Sequence, residues 1–181
     1  MQRTRTLLAG VVLLAGCVTA TTIDKAAETR ALSQDLHVAE DQVKLTSRCH
    51  FAIAPKGATS TVEPLNGVCF ITDQGLHIRV IDVTTGKTEF LNTFKVGEIE
   101  SVSRIPHMIY EQLQVRTRAQ IIALYMRPDG GIGTNWEASN KFVESMKTLG
   151  IPEVEATGRI NFVPPGGGGG VPIPIFIPRG R

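Results

Sequence analysis

Few side chains in this chain of 181 residues could act as nucleophiles, bases or metal ligands. It contains three cysteines and four histidines, and neither set has the clustered spacing that a zinc site requires. No Gly-x-Ser-x-Gly segment is present, and no cysteine has the local histidine or acidic context of a catalytic thiol. The sequence therefore predicts a protein that is not an enzyme and that uses no metal and no other cofactor.

Charged, apolar and small residues follow one another in a characteristic order before Cys17. Arg3 and Arg5 precede a short apolar stretch, residues 7–14, and small residues then lead to Cys17. Charge, apolar core and small residues in this order are typical of a secretory signal peptide. The alternative is an uncleaved membrane anchor, but the stretch is much shorter than the roughly 20 residues that span a bilayer.

Leu14-Ala15-Gly16-Cys17 resembles the lipobox of bacterial lipoproteins at all four positions. The resemblance implies that residues 1–16 are removed, that Cys17 carries a diacylglyceryl thioether, and that its new amino group receives an acyl chain such as palmitate. Val18 in place of aspartate implies the outer membrane, facing the periplasm, with exposure at the cell surface as the alternative. Losing Arg3 and Arg5 would leave as many basic residues as the 17 acidic ones, so no nucleic acid partner is expected.

Cys49 and Cys69 then remain as an even pair in an oxidising compartment, which favours a disulfide bond. The segment between them contains Pro64 and Asn66-Gly67, which form turns and let the chain fold back on itself. Two buried free thiols on neighbouring strands are the alternative. In either case the two cysteines are interpreted as structural.

The spacing of apolar side chains predicts the helices and strands of the chain. A helix is predicted from about residue 24 to 41, because Leu32, Leu36, Ala39 and Val43 recur at helical intervals. Alternating residues then predict several short strands, and Pro106 is predicted to break one of them. The predicted strands cover residues 43–54, 68–72, 76–81, 90–94, 99–105, 113–116 and 119–126. His77 alternates outward on its strand and is interpreted as a surface residue.

A second helix is predicted after these strands. Thr134 and Glu137 have the spacing of a capping box, and Gly150 followed by Ile151-Pro152 ends the element. Its apolar face consists of Ala138, Phe142, Met146 and Leu149. Trp136 is interpreted as a packing residue at the start of this helix.

The order of these elements resembles pleckstrin-homology-like domains of the bacterial and GRAM type. The resemblance rests on residues 67–72 with Gly75-Leu76, the Gly86 hairpin, residues 98–102, residues 113–123 and the helix of residues 136–150. It implies an α+β, mainly β fold, an antiparallel half-barrel closed by the C-terminal helix. Such domains usually bind lipids, peptides or proteins. Only Lys56 lies in the first loop, so binding of phosphoinositides is not expected.

We therefore expect a signal peptide at 1–16, a lipidated tether and helix at 17–41, the PH-like domain at 42–152 and a Gly/Pro-rich apolar tail at 153–181. In the tail, five glycines precede Val171-Pro172-Ile173-Pro174-Ile175-Phe176-Ile177. The proline spacing forbids a helix, so the exposed apolar residues Ile173, Ile175, Phe176 and Ile177 are candidates for binding a partner. A tail that folds back on its own domain, or that stays disordered, is the alternative.

Together these features predict a non-enzymatic membrane-anchored lipoprotein. It would bind another component of the cell envelope, including one in a multiprotein assembly, or a second copy of itself through the tail. The alternative is a carrier or sensor that holds a small lipid or cell-wall ligand inside the PH-like domain.

Overall fold

The structure is a computed structural model that describes residues 22–57 and 62–162. Cys17 and the apolar residues of the tail, Ile173 to Ile177, lie outside the described residues. Within the described part, two helices and seven strands follow one another, with short 3₁₀ turns at 40–42 and 96–98. The elements are α1 (Lys25–Leu36), β1 (Leu45–Pro55), β2 (Leu65–Thr72), β3 (Gly75–Ile81), β4 (Thr88–Lys95), β5 (Ile99–His107), β6 (Tyr110–Thr117), β7 (Gln120–Met126) and α2 (Trp136–Thr148).

The seven described strands form one antiparallel sheet in the order β4-β3-β2-β1-β7-β6-β5. One apolar cluster contains residues from every strand together with Phe142 and Met146 of α2. Strands lie about 4.8 Å apart, so a flat sheet of this width could not bring both of its edges against one helix. The sheet therefore curls around α2, and the predicted α+β, mainly β class is confirmed.

The turns between strands depend on local backbone geometry. Gly75 at the start of β3 has a φ of +139°, and a Cβ there would lie 2.1 Å from the carbonyl oxygen of Phe94. Only glycine allows β3 and β4 to approach this closely. Pro106, which we expected to break its strand, lies inside β5 opposite Glu111. The expected break was wrong, because β5 lies at the edge of the sheet, where a missing N–H donor is tolerated.

Helix α1 packs on the outer face of the sheet. Leu32 is fully buried against Val68, Phe70 and Ile81 of β2 and β3. The neighbouring Arg79 of β3 is largely buried and pairs with two carboxylates of the helix, Glu28 and Asp35. Asp24 caps the helix by accepting a hydrogen bond from the amide of Ala27 at 3.0 Å.

The N-cap of helix α2 lies one residue later than predicted. Asn135 is the N-cap, and its Oδ1 accepts from the amide of Ala138 at 3.1 Å. The predicted capping box of Thr134 and Glu137 was therefore wrong, because the buried Thr134 hydroxyl instead accepts from the amide of Glu111 at 2.7 Å. The predicted apolar face is confirmed, since Ala138, Phe142 and Met146 are buried in the main core.

Candidate binding surfaces

The predicted disulfide bond between Cys49 and Cys69 is present. Cys49 lies opposite Gly67, and Cys69 lies opposite Ser47, so the bond runs diagonally between β1 and β2 across a Cα–Cα distance of 6.0 Å. Both residues are fully buried in the main core. The bond therefore fastens two central strands and offers no accessible thiol chemistry.

Two of the three histidines in the sheet, His50 and His77, are at least partly shielded from solvent. His77 was predicted to be a surface residue, and this was wrong, since its side chain is fully buried on the outer face of β3. Its ring nitrogens each lie 2.8 Å from a hydroxyl, Nε2 from Thr72 and Nδ1 from Thr93. Burial lowers the pKa of His77 to about 4. Burial, with smaller effects of Arg127 and Arg48, lowers the pKa of His50 to about 4 as well.

A partly buried polar cluster joins α2 to the edge of the sheet. The Ser139 hydroxyl donates to the carboxylate of Glu111, and Arg104 lies 3.5 Å from the same carboxylate. Arg104 also donates to Oδ1 of Asn140 at 2.8 Å and pairs with Glu153 at 3.3 Å. Each group thus has a partner within the fold, and the cluster connects helix, sheet and the segment after the helix.

Residues 153–162 cross the outer face of β6, β7 and β1, and we call them the C-terminal strap. The amide of Val102 donates to Pro152, and the amide of Val154 donates back to Val102, so the strap starts along the edge strand β5. Farther on, the side chain of Gln112 in β6 contacts both backbone groups of Ile160. Its Nε2 donates to the carbonyl at 2.8 Å, and its Oε1 accepts from the amide at 3.0 Å.

The strap is also held by apolar contacts and by a second amide. Gln114 donates to the carbonyl of Gly158 at 2.8 Å, and its Nε2 also lies 2.9 Å from Oε1 of Gln112. Ile160 is buried in a small cluster with Ala54, Ile121 and Ala123. The ring of Phe162 then packs edge-on against Tyr125 with centroids 4.9 Å apart. The first ten residues of the predicted tail, 153–162, therefore lie on the domain.

Sequence reasoning missed the strap. The signal that could have revealed it is the pair Gln112 and Gln114, two amides on the outward face of a strand otherwise rich in buried residues. A side-chain amide can donate and accept hydrogen bonds at once. Glutamines on an outward strand face, where charged residues are common, are therefore compatible with another chain segment packed over that face.

A second surface consists of apolar side chains on two adjoining loops. Met108 and Ile109 lie at the tip of the β5–β6 hairpin and are 89% and 58% exposed, while Ile132, in the loop after β7, is 81% exposed. The amide of Thr134 donates to the carbonyl of Ile109 at 3.2 Å, which holds the two loops together. We call Met108, Ile109 and Ile132 the loop patch. Trp136, at the start of α2, is 47% exposed, so its expected packing role is at most partial.

The concave side of the sheet is filled by side chains. Phe51, Phe142, Met126 and Met146 are fully buried there. A cleft of about 710 Å³ lies outside this core, between α2 and the strap. Half of its lining residues are charged, namely Arg104, Lys147, Glu153 and Glu155. A smaller cleft of about 390 Å³ lies where β4 and the β6–β7 turn meet.

Two kinds of feature are absent from residues 22–57 and 62–162. No helix in these ranges is long and apolar enough to cross a bilayer. In the same ranges no three histidine, cysteine or acidic side chains are grouped so that they could hold a metal ion.

Comparison with known proteins places the chain in no family. No family model matches it, and no curated protein matches its sequence. Among solved structures, the hSac2 domain from the human phosphoinositide phosphatase Sac2 aligns over 78% of this chain and 98% of its own length, with 11% sequence identity and a TM-score of 0.41. A similarity at this TM-score establishes neither a shared fold family nor a shared activity.

Proposed function

We propose that this protein is a lipid-anchored, non-enzymatic lipoprotein of the outer membrane that faces the periplasm and binds another envelope component through its apolar C-terminal tail. The observation that carries the proposal is the strap. Because Gln112 holds both backbone groups of Ile160, the end of the strap is fixed on the outer face of the sheet. A five-glycine linker, residues 166–170, then separates the strap from the Ile/Pro motif of residues 171–178.

This arrangement suits capture of a partner. Glycine-rich linkers in general behave as flexible coils, which lets an attached motif reach partners at varied positions. Its alternating prolines favour an extended conformation, and extended apolar segments bind in grooves or along sheet edges. The lipids proposed for Cys17 would keep the protein at the membrane, because several acyl chains hold a protein stably where one does so only marginally.

We also propose a PH-like assignment for the domain. The supporting features are the strand order, in which β1 pairs with both β2 and β7, and the helix that follows β7 and fills the curled sheet. The packed side chains Phe51, Phe142 and Met146 on the concave side favour a binding protein over the alternative of a ligand carrier.

The tail is tested by crosslinking in cells that express either the whole chain or a chain ending at residue 163. A partner should be captured by the whole chain and lost from the truncated one. A matched variant keeps the length and the glycines but replaces Ile173, Ile175, Phe176 and Ile177 by serine, and it should lose the same partner. Identical crosslinking profiles for all three chains would contradict a binding role of the tail.

The anchor is tested separately by intact mass measurement of the membrane-extracted protein. Cleavage before Cys17 and the added mass of diacylglyceryl and acyl groups are expected. A Cys17→Ser chain should keep the unprocessed mass and leave the membrane fraction on mild washing. An unmodified Cys17 in the wild-type chain would contradict the anchor without affecting the test of the tail.

A further inference from the structure

We infer that the loop patch contacts the lipid bilayer to which the protein is anchored, so that the domain rests on the membrane in one orientation. This inference rests on the proposed lipidation of Cys17. It adds a surface, made of Met108, Ile109 and Ile132, that neither the anchor nor the tail includes.

The position of α1 relative to the patch is the first argument. Nζ of Lys25, the first residue of α1, lies 3.1 Å from a carboxylate oxygen of Asp129. Asp129 belongs to the same loop as Ile132, and that loop is hydrogen-bonded to Ile109 through Thr134. The patch and the start of the described N-terminal helix therefore lie at the same end of the domain.

The length of chain before α1 is the second argument. Lys25 lies eight positions after Cys17, and a fully extended chain spans at most about 3.6 Å per residue. The lipidated residue thus lies within about 29 Å of Lys25 in any conformation. A tether this short keeps the Lys25 end of the domain close to the bilayer.

The composition of the surface is the third argument. In the described part of the chain seven large apolar side chains are exposed, and four of them are the patch residues and Trp136. Isolated apolar side chains at a protein surface are ordinary, whereas a group of them indicates a contact. Methionine and isoleucine on loop tips can enter the acyl region, and tryptophan prefers the interface between headgroups and acyl chains. Arg127, beside Tyr110 in the same region, supplies a cation for lipid phosphates.

The experiment uses the full-length lipidated protein in vesicles of phosphatidylethanolamine and phosphatidylglycerol. A cysteine introduced by Met108→Cys, or in a second chain by Ile132→Cys, carries a nitroxide spin label. Collision of the label with oxygen, which concentrates in lipid, is compared with collision with a water-soluble nickel complex. The matched control is Val83→Cys, whose side chain is also highly exposed but lies on a different loop, the β3–β4 hairpin.

Labels at positions 108 and 132 are expected to collide more with oxygen than with nickel, whereas the label at position 83 should show the reverse. Equal nickel accessibility at all three positions would overturn the inference. The measurement is repeated on a chain ending at residue 165, and loss of protection there would identify the protein's own tail as the occupant and also overturn the inference. An intact mass without lipid on Cys17 would refute the proposed anchor and this inference with it, whereas a lipidated protein with water-accessible labels would refute this inference alone.

Discussion

Protonation of His77 should destabilise the fold in mild acid. The imidazole is fully buried between the hydroxyls of Thr72 and Thr93, and burial lowers its pKa from 6.5 to about 4. Between these two values the unfolded chain binds a proton that the folded protein does not bind. The contribution of His77 to stability is therefore complete above about pH 6.5 and is lost progressively as the pH falls towards 4.

The size of this effect follows from the two pKa values. The free energy of unfolding should fall by up to about 1.4 kcal/mol per pH unit in this range, and by about 2 kcal/mol between pH 7.5 and pH 5. His50, whose pKa is lowered in the same direction, adds to the acid sensitivity of the whole protein. The share of His77 must therefore be isolated by comparison with a variant at that position.

The assay is urea unfolding followed by circular dichroism at several pH values from 5 to 7.5. In His77→Gln the amide can keep contacts with both hydroxyls but does not titrate. The stability difference between wild type and variant should shrink by about 2 kcal/mol on going from pH 7.5 to pH 5. His107→Gln, at an exposed histidine, is the matched control and should follow the wild-type profile. Free energies of unfolding that fall in parallel with pH in wild type and His77→Gln would show that His77 does not cause the acid sensitivity.

Three further changes test the contacts that hold the domain together. Replacing both Cys49 and Cys69 by alanine should lower the free energy of unfolding by about 3 kcal/mol, because the disulfide bond closes a loop of about 20 residues. Urea unfolding under oxidising conditions measures this loss. Gln112→Ala should raise amide hydrogen exchange in residues 153–162, since it removes both hydrogen bonds to Ile160, worth about 1 kcal/mol each, along with the bonds of this side chain to Gln114 and Tyr125. Unchanged exchange in residues 153–162 would contradict the role of Gln112. Leu32→Ala should cost about 2–5 kcal/mol by leaving a cavity under α1, and a thermal midpoint equal to that of wild type would show that α1 does not stabilise the sheet.

The buried contacts of α1 show why the domain needs its N-terminal helix. Arg79 would otherwise place a guanidinium on an apolar outer face beside Val68 and Phe70, and Glu28 and Asp35 of the helix neutralise it there. A buried ion pair of this kind adds little net stability, but removing one partner leaves a costly unpaired charge. The helix thus fastens the start of the described chain to β2 and β3.

Structural features that depend on residues close together along the chain could be predicted from the amino-acid pattern. Alternation of apolar side chains located the strands, and the turn residues located the hairpins. The spacing of Ala138, Phe142 and Met146 identified the buried face of α2. The disulfide bond between Cys49 and Cys69 was favoured over two free thiols on the expectation of an oxidising compartment and a lipid on Cys17, and the bond is present.

The segments that cover the outer faces of the sheet could not be predicted from the sequence and are seen in the folded chain. Alternation reports on which face a side chain lies, and it placed His77 correctly on the outer face while giving the wrong burial. The layers above that sheet come from far along the chain, since 48 residues separate Gln112 from Ile160 and 44 separate Arg79 from Asp35. Burial on those faces depends on contacts between distant segments, which no local pattern contains, and for that reason the strap and the loop patch emerged only from the folded chain.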